Sequence, residues 1–252
     1  QKAREDFAQG EKRLAEKAEQ IPALENVVSG FQLKKGSRER RAAQLSVRIQ
    51  EATIALADVR NRIKMLRELE REYEGFHKAV RLVMRESASG SLRGIHGPVS
   101  TLMRVDERYV AATETVLGAA MQNIVTDDEE TARRAIGLLK SRDAGRATFL
   151  PLTAIRGGRL SERGLENQPG FIGILSDIVV YEERYRAIFQ SLLGRTVLVE
   201  TIDDAIAVAR TYAHRFRIVT LDGQVVNAGG SMTGGSLNRS AGILSRANEL
   251  AK

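Results

Sequence analysis

The sequence predicts an α+β protein in which two similar mixed α/β lobes follow a long N-terminal coiled-coil helix and precede a short C-terminal return helix. Three observations support this class. Apolar residues in the first third keep a seven-residue spacing, a set of short motifs occurs twice in the middle, and a glycine-rich β-type stretch ends the second copy.

Composition and charge indicate an elongated, basic N-terminal part. Of 252 residues, 42% are hydrophobic, only 5% are aromatic, and tryptophan is absent. The net charge is +7, and the segment through Glu86 carries 19 Lys and Arg against 14 Asp and Glu. This distribution favours either attraction to nucleic acid or an acidic partner, or a solvated helix surface that is simply basic.

Compartment signals are few. The chain has no cysteine, which excludes disulfides and thiolate metal sites and fits a cytoplasmic protein. No apolar run approaches the ~20 residues that a membrane-spanning helix needs, and the first residues do not form a signal peptide. We therefore expect a cytoplasmic protein with no membrane partner.

Residues 1–86 are predicted to form a coiled-coil arm. The best heptad seam, with alternating steps of four and three residues, comprises Leu45, Ile49, Ala52, Leu56, Val59, Ile63 and Leu66. A further step of three reaches Leu69, which resembles a stammer, and apolar spacing continues to Val83. The sequence therefore predicts one helix from Arg41 to Arg85.

An earlier heptad run precedes this seam and contains Phe7, Leu14, Ile21, Leu24 and Val28. Pro22 lacks an amide hydrogen and is expected to kink the first helix. Residues 29–40 interrupt the apolar periodicity. This segment is either a turn that folds the first helix back or an interruption in a longer coil.

Residues 87–239 are predicted to form the compact domain, with lobe 1 at about 92–155 and lobe 2 at about 171–236. Three motif pairs are separated by 76 residues: Glu107-Arg108-Tyr109 and Glu183-Arg184-Tyr185, Leu117-Gly118 and Leu193-Gly194, and Asp127-Asp128 and Asp203-Asp204. Arg134 and Arg210 keep the same spacing, and the strands after them align if five residues are missing from lobe 2. This pattern indicates an internal duplication.

Each lobe is predicted to contain a helix ended by glycine, a short strand, a second helix that begins with acidic residues, and another strand. The acidic clusters are interpreted as first-turn residues, since negative charge stabilises a helix N-terminus. A capping box of Thr126 with Glu129 is expected in lobe 1. Residues 240–252 are predicted to begin a returning helix.

The stretch Thr220–Ser236 contains Gly229, Gly230, Gly234 and Gly235. Such a backbone can approach another backbone closely or adopt positive φ. Its spacing nearly matches a phosphate-binding P-loop, but Gly235 stands where that motif has lysine. We favour a strand edge that pairs with another chain, with a flexible loop and a nucleotide site as alternatives.

No active site is predicted from the sequence. His77, His96 and His214 are assigned to a helix, a loop and a helix, without the paired spacing or the nearby carboxylates of a metal site. No nucleophile motif occurs. We expect no catalytic residue, no metal and no cofactor.

Six ordered motifs between Tyr73 and Gly235 resemble the hinge domain of bacterial SMC (structural maintenance of chromosomes) proteins. They are YEGF, GIHGPV, ETVLGAAMQNIV, GRATFLPL, LLGRTVLVET and VTLDGQVVNAGGSMTGGS. One departure is Asn227-Ala228, where such hinges commonly have Pro-Gly. Residues 1–40 match only as plausible arm.

The resemblance implies a homodimerisation module that joins two coiled-coil arms. It implies that the lobes of one chain meet the opposite lobes of the other, near the glycine-rich strands. The expected interface residues are Gly118, Gly145, Gly229, Gly230, Ser231, Met232, Gly234 and Gly235. It also implies that ATPase heads and their kleisin-type partners belong to other parts of such proteins, so this chain should not hydrolyse ATP.

The resemblance further implies DNA contact near the coil junction and association with the nucleoid. The expected contacts are Lys78, Arg81, Arg85, Arg93, Arg239 and Arg246. Two other functions stay open on the sequence. One is a phosphate- or nucleotide-binding α/β enzyme that uses the glycine-rich stretch, and the other is a helical scaffold that binds protein through its arm and does not bind DNA.

Overall fold

The computed structural model describes residues 2–71, 73–236 and 242–245. The chain divides into two compact units, Gln1–Lys64 and Met65–Lys252. Each unit is described by itself below. The first contains most of one long helix, and the second contains all the sheets.

Helix α1 spans Lys2–Arg71 and includes Pro22 in its interior. Its large apolar side chains are exposed: Leu14 by 75%, Ile21 by 55%, Leu24 by 63% and Ile49 by 66%. These residues belong to the heptad seam that the sequence shows. A solvent-exposed heptad seam is typical of a helix that packs against another helix in a coiled coil.

The structure has no turn at residues 29–40, where the sequence left a break open. The helix continues through this segment. Counting on from Val28 in steps of three and four reaches Lys35, Arg38 and then Leu45, so the heptad phase is never lost. The interpretation of lost periodicity was wrong, because charged residues occupy two seam positions without changing the spacing.

The predicted single helix from Arg41 to Arg85 is also wrong. Helix α1 ends at Arg71, and a second helix, α2, spans Lys78–Ala88. Tyr73 has φ 51° and Gly75 has φ 91°, and the amide of Glu74 donates to the carbonyl of Leu69 at 2.9 Å. Left-handed residues after a helix satisfy its last carbonyls and end it.

The remaining elements alternate short strands and helices. The strands are β1 Ile95–Pro98, β2 Met103–Arg104, β3 Ile124–Thr126, β4 Phe149–Pro151, β5 Phe171–Ile174, β6 Val180–Tyr181, β7 Thr196–Val199, β8 Arg217–Thr220, β9 Val225–Val226 and β10 Met232–Thr233. The helices are α3 Val110–Leu117, α4 Glu129–Ser141, α5 Leu175–Ile178, α6 Arg186–Leu193 and α7 Ile202–Thr211. A helical turn follows at residues 243–245.

The sheets show the duplication directly. One sheet has the order β1-β3-β4 and another has the order β10-β9-β8-β7-β5. In both, an antiparallel pair (β1 with β3, β5 with β7) is followed by a parallel pair (β3 with β4, β7 with β8). Strands β2 and β6 pair antiparallel with each other and so join the two lobes.

Strand pairing corrects the predicted alignment of the lobes. The 76-residue separation holds from β1 and β5 to the ends of α3 and α6. It then falls to 73, because Thr126 pairs with Ile95 whereas Val199 pairs with Phe171. Lobe 1 has three more residues here, within the 3₁₀ turn Gly118–Gln122. Asp203-Asp204 is therefore not the counterpart of Asp127-Asp128.

Further along, the separation falls again, to 69 residues. Leu150 pairs with Val125, and its counterpart Val219 pairs with Leu198. Helix α4 has 13 residues and α7 has 10, which accounts for most of this change. The predicted equivalence of Arg134 and Arg210 was coincidental.

Among the described residues, three hydrophobic clusters form the core. One lies in lobe 1 under α2 and α4 and includes Val80, Val83 and Leu139. A second lies in lobe 2 under α7 and includes Val208 and Ile218. The third contains side chains of both lobes, among them Val116, Tyr185, Phe189 and Leu193. A shared core makes the two lobes one packed body.

Candidate dimerisation edge and coil junction

The glycine-rich stretch forms the last hairpin of the five-stranded sheet. Strand β9 turns at residues 227–231 and returns as β10, which pairs only with β9 among the described strands. The amide of Gly230 donates to the carbonyl of Asn227 at 3.0 Å, and the amide of Asn227 donates to the carbonyl of Ser231 at 2.8 Å. The stretch is therefore a sheet edge.

The four glycines are required for two different reasons. Gly229, Gly230 and Gly235 have φ of 86°, 94° and 138°, values that residues with a side chain rarely adopt. Gly234 has an ordinary backbone, but a Cβ there would collide with the carboxamide of Gln224. That carboxamide bonds both the amide (3.0 Å) and the carbonyl (3.1 Å) of Gly235. The close approach predicted here comes from the chain's own Gln224.

The hydrogen bonds disfavour a phosphate cradle. A P-loop presents free amides to the anion. Here the amides of Gly229, Gly230 and Gly235 donate to His214, Asn227 and Gln224 of the same chain. These three glycine amides are therefore not free to bind a nucleotide phosphate.

Strand β10 presents an open edge in lobe 2. Because Asn227 and Ser231 are hydrogen-bonded, the alternation of an antiparallel ladder turns the amide and carbonyl of Met232 away from β9. Its side chain is 54% exposed. Met232 is one of only a few large apolar side chains exposed to this degree among the described residues of the compact unit.

Strand β4 presents an open edge in lobe 1. It pairs only with β3 among the described strands. The amide of Ile124 donates to the carbonyl of Thr148 at 2.9 Å, and the amide of Leu152 donates to the carbonyl of Thr126 at 2.9 Å. Residues 148, 150 and 152 therefore face β3, and the amide of Phe149 faces outward.

Two other predicted interface glycines lie in lobe 1. Gly145 (φ 87°) is exposed and comes shortly before β4, at the edge just described. Gly118 (φ 46°) is exposed at the end of α3. For both, no described atom lies within 4 Å of an ideal Cβ, so backbone conformation rather than space explains the glycine.

The basic residues predicted to contact DNA are exposed on one side of α2. Lys78, Arg81 and Arg85 lie opposite the buried face formed by Ala79, Val80, Val83 and Met84. Arg93 is exposed as well. Within the part of the chain that the structure describes, no salt bridge neutralises any of these four cations. Arg239 and Arg246 lie outside the described residues.

The histidines differ from expectation. His77 precedes α2, His96 lies in β1, and His214 lies in a turn with φ 52°. The prediction that no carboxylate lies near the histidines was wrong for His96, whose Nε2 lies 2.8 Å from Asp127 Oδ1. Its Nδ1 lies 3.0 Å from the hydroxyl of Tyr185 in lobe 2. Sequence spacing gave no signal for this contact, because it joins three distant segments.

This network joins the two lobes. Among the described residues, no group of three or more His, Asp, Glu or Cys side chains is placed to hold an ion. The contact joins β1 of lobe 1 to the start of α6 in lobe 2, since burial places Tyr185 in the shared core. Burial also raises the pKa of the Tyr185 hydroxyl, which keeps it protonated as a hydrogen-bond donor.

The acidic clusters have the predicted structural role. In lobe 1, Asp128 caps α4 by accepting from the amide of Thr131 at 2.8 Å, and this bond lowers the pKa of Asp128. The capping box expected from Thr126 and Glu129 is therefore wrong by two residues. In lobe 2, Thr201 and Asp204 form a reciprocal capping box.

None of the described helices combines the length and apolarity that crossing a bilayer would need.

Comparisons with known proteins agree with this architecture. The family model described as "SMC proteins Flexible Hinge Domain" matches residues 92–209. The chromosome partition protein Smc of Bacillus subtilis (strain 168) is 37% identical over 235 residues, or 92% of this chain and 19% of that protein. The Smc protein of Desulfitobacterium hafniense is 42% identical over 206 residues, 80% of this chain and 17% of that protein. The chain spans about a fifth of the length of these curated relatives.

Solved structures show the same similarity. An asymmetric dimer of the Geobacillus stearothermophilus SMC hinge domain matches with a TM-score of 0.73 and 42% identity, over 80% of this chain and 82% of that one. The Pyrococcus furiosus Smc hinge domain with an extended coiled coil matches with a TM-score of 0.53 and 27% identity, over 92% and 80% of the two chains.

Proposed function

The chain belongs to the SMC hinge domain family, and on that premise we propose that it joins two copies of a chromosome partition protein by pairing strand β10 of each copy with strand β4 of the other. The arrangement is reciprocal: lobe 1 of each copy meets lobe 2 of its partner, and a two-fold axis relates the two contacts.

The observation that carries this proposal is the pair of unlike open edges on one body. Phe149 in lobe 1 and Met232 in lobe 2 each present an outward amide, and neither strand has a second neighbour among the described residues. Exposed strand edges readily take another strand. The duplication explains their difference, because only lobe 2 has β9 and β10 added beyond β8.

Cysteine cross-linking tests this pairing, since the natural chain contains no cysteine. Thr148 and Thr233 are exposed residues beside the two open edges. We expect the double variant Thr148→Cys/Thr233→Cys to form a covalent dimer on mild oxidation. Each single variant should form much less, because the two edges meet each other and not themselves.

The matched control pairs Thr233→Cys with Ser141→Cys, an exposed residue at the end of α4. It should cross-link no more than the single variants. Sedimentation of the cysteine-free chain should give the mass of a dimer. A monomer at high concentration, or equal cross-linking in the control, would contradict the proposal. Bulky glycine replacements are a poorer test, because they also disturb the hairpin itself.

We also propose that the exposed cations of α2 bind nucleic acid phosphates. Support comes from Lys78, Arg81 and Arg85, which form one exposed row without a carboxylate partner among the described residues, and from Arg93, which is exposed between α2 and β1. Contacts of this kind give binding that tolerates sequence and weakens with salt. Nucleoid association would follow from such binding.

Titration of fluorescent DNA at several salt concentrations tests the patch. The variant Lys78→Gln/Arg81→Gln/Arg85→Gln should bind more weakly, and its salt slope should fall by about 1 per lost phosphate contact. The control Arg163→Gln/Arg195→Gln/Arg210→Gln removes the same charge from exposed residues of lobe 2 and of the segment that precedes it. Equal losses in both variants would show attraction to net charge, and no binding by the natural chain would remove DNA from the function.

ATP turnover and kleisin binding are assigned in this proposal to other parts of the longer relatives. The support here is the glycine hairpin, in which the amides of Gly229, Gly230 and Gly235 donate within the chain. Equilibrium dialysis of the chain with labelled ATP should detect no binding. Stoichiometric binding would instead favour the nucleotide-binding alternative.

A further inference from the structure

The outgoing chain is attached to lobe 1 through one carboxylate. Glu114, on α3, accepts hydrogen bonds from the backbone amides of Leu244 at 2.9 Å and Ser245 at 3.3 Å, both through its Oε1 atom. These amides begin the helical turn at residues 243–245 and are separated from Glu114 by about 130 residues of sequence. The first amides of a helix lack partners within it, so Glu114 supplies one.

Packing around the same contact is close. Leu244 is only 3% exposed and belongs to the shared core, and Ile243 packs against the cluster under α2. At Gly242, any Cβ would collide with the Glu114 carboxylate. Glycine is therefore favoured at this position because it leaves room for the Glu114 side chain, and not because of its backbone conformation.

The incoming chain is attached through a neighbouring residue of the same segment. Gln122, at the end of the 3₁₀ turn after α3, accepts from the backbone amide of His77 at 2.7 Å through its Oε1 atom. His77 is the residue that precedes α2. Gln122 lies within the three-residue enlargement of lobe 1, and lobe 2 has no equivalent of this turn.

We propose that Glu114 and Gln122 are positioning residues that tie the helical turn at residues 243–245 and the start of α2 to one segment of lobe 1. Both act through a side-chain oxygen that accepts from the backbone at a helix start. Both acceptors lie within one nine-residue segment, from Glu114 to Gln122. This segment therefore fixes the distance between the helical turn at residues 243–245 and the start of α2. This inference rests on the proposed arm-joining function.

Hydrogen exchange of individual backbone amides tests the proposal in the 252-residue chain. In Glu114→Ala, we expect exchange at Leu244 and Ser245 to rise at least tenfold while the core amides of β7 and β8 are unchanged. Glu114→Gln should stay close to the natural chain, because an amide oxygen can still accept both bonds. Gln122→Ala should accelerate exchange at His77, and Gln122→Glu should restore protection there.

Two controls separate positioning from general stability. Thr115→Ala alters the next residue of α3, whose hydroxyl bonds within its own helix at 2.8 Å. Gln190→Ala alters the position in lobe 2 that corresponds to Glu114. Neither should change exchange at residues 77, 244 or 245. Gly242→Ala should reproduce the Glu114→Ala effect, and the double variant should add little, because both disturb one contact.

The proposal is overturned if Glu114→Ala leaves exchange at Leu244 and Ser245 unchanged, if Glu114→Gln behaves like Glu114→Ala, or if all amides exchange faster together. Sedimentation of the same variants separates this inference from the proposed function. A Glu114→Ala chain that loses local protection but remains a dimer supports both. A monomeric natural chain contradicts the dimer alone.

Discussion

Lobe 1 and lobe 2 share one strand and helix arrangement, yet aligned residues often serve different purposes. Gly118 and Gly194 end the equivalent helices α3 and α6. Gly118 is required because its φ is 46°, whereas Gly194 has an ordinary φ of −68° and lies directly against the carbonyl of Gly158. The same residue type thus answers a conformational need in one lobe and a packing need in the other.

The chain that leaves each lobe passes close to one of the two equivalent helices, α3 and α6, in the other lobe. After lobe 1, Gly157 passes close to Gln190 on α6, and after lobe 2, Gly242 passes close to Glu114 on α3. Only the second crossing has a carboxylate that bonds the passing backbone. The comparison shows how a duplicated fold can keep its geometry while one copy acquires the attachments of the arm.

The largest expected difference between the lobes lies in the shared core. Phe189 in α6 is fully buried, and its counterpart in α3 is the smaller, equally buried Thr113. Phe189→Ala should lower the free energy of unfolding by about 3–5 kcal/mol, because it leaves a cavity. Thr113→Ala should cost about 1 kcal/mol, since only the hydrogen bond to the Tyr109 carbonyl and a methyl group are lost.

Urea unfolding at one fixed protein concentration measures both, because association also contributes to apparent stability. Ile136→Ala is the surface control, with a side chain 53% exposed and an expected change within about 0.5 kcal/mol. If Phe189→Ala and Thr113→Ala lower the free energy of unfolding by the same amount, α3 and α6 contribute equally to the core. That result would contradict the expected difference between the lobes.

The next difference concerns a bulge that both lobes have. Gly97 and Gly173 lie at the same register shift in β1 and β5. Gly97 has φ 139°, and an added Cβ would lie 2.9 Å from the Thr101 hydroxyl, whereas at Gly173 it would meet only the flexible end of Ile178 at 3.2 Å. Gly97→Ala should lower the free energy of unfolding by about 1–3 kcal/mol, and Gly173→Ala should lower it clearly less. Thermal unfolding of the pair checks the order, and the reverse order would refute it.

A smaller effect is expected at the contact between the lobes. Tyr185 and Tyr109 are equivalent, but only the Tyr185 hydroxyl bonds a side chain of the other lobe, His96 at 3.0 Å. Tyr185→Phe should lower the free energy of unfolding by about 1 kcal/mol, and Tyr109→Phe should change it by less than about 0.5 kcal/mol. Equal effects in urea unfolding would mean that the His96 contact does not hold the lobes together.

The smallest effect separates the two helix caps by pH. Asp128 caps α4 with a carboxylate whose pKa is lowered by the Thr131 amide, whereas the Thr201 hydroxyl that caps α7 does not titrate. A lowered folded-state pKa stabilises the fold above the ordinary pKa of the group, and this contribution disappears as pH falls through the lowered value.

Asp128→Asn should therefore be less stable than the natural chain near neutral pH, because asparagine still caps but carries no charge for the helix dipole. The difference should shrink as the pH falls below the ordinary pKa of an aspartate and through the lowered pKa of Asp128. Thr201→Ala, in contrast, should cost about 1 kcal/mol across the same range. Urea unfolding at several pH values measures both. A difference between Asp128→Asn and the natural chain that does not change with pH would contradict a stabilising role for the Asp128 charge.

Much of this arrangement could be predicted because it depends on local patterns. Heptad spacing identified the exposed seam of α1, the repeated Glu-Arg-Tyr and Leu-Gly motifs identified the duplication, and small residues identified the hairpin of Gly229 to Gly235. Each pattern reflects a short-range requirement: one face of a helix, the end of a helix, or a positive φ.

Other predictions failed where spacing alone was ambiguous. The apolar residues Phe76, Val80 and Val83 continue the helical period, and only the left-handed turn at Tyr73 separates them from α1. The Asp-Asp pairs matched at 76 residues although strand pairing aligns the lobes at 73 there. Short acidic pairs recur at helix starts for capping reasons, so their spacing is weak evidence of equivalence.

By itself, the sequence determined the family, the two-lobed α+β class, the coil seam and the basic row of α2, because spacing and residue type suffice for each. Only the tertiary structure decided that His96 meets Asp127 and Tyr185, that Gln224 explains Gly234, and that Glu114 and Gln122 bond the two helix starts. These contacts join segments from ten to 130 residues apart. Hydrogen bonds between such segments depend on the tertiary packing, which no local pattern encodes.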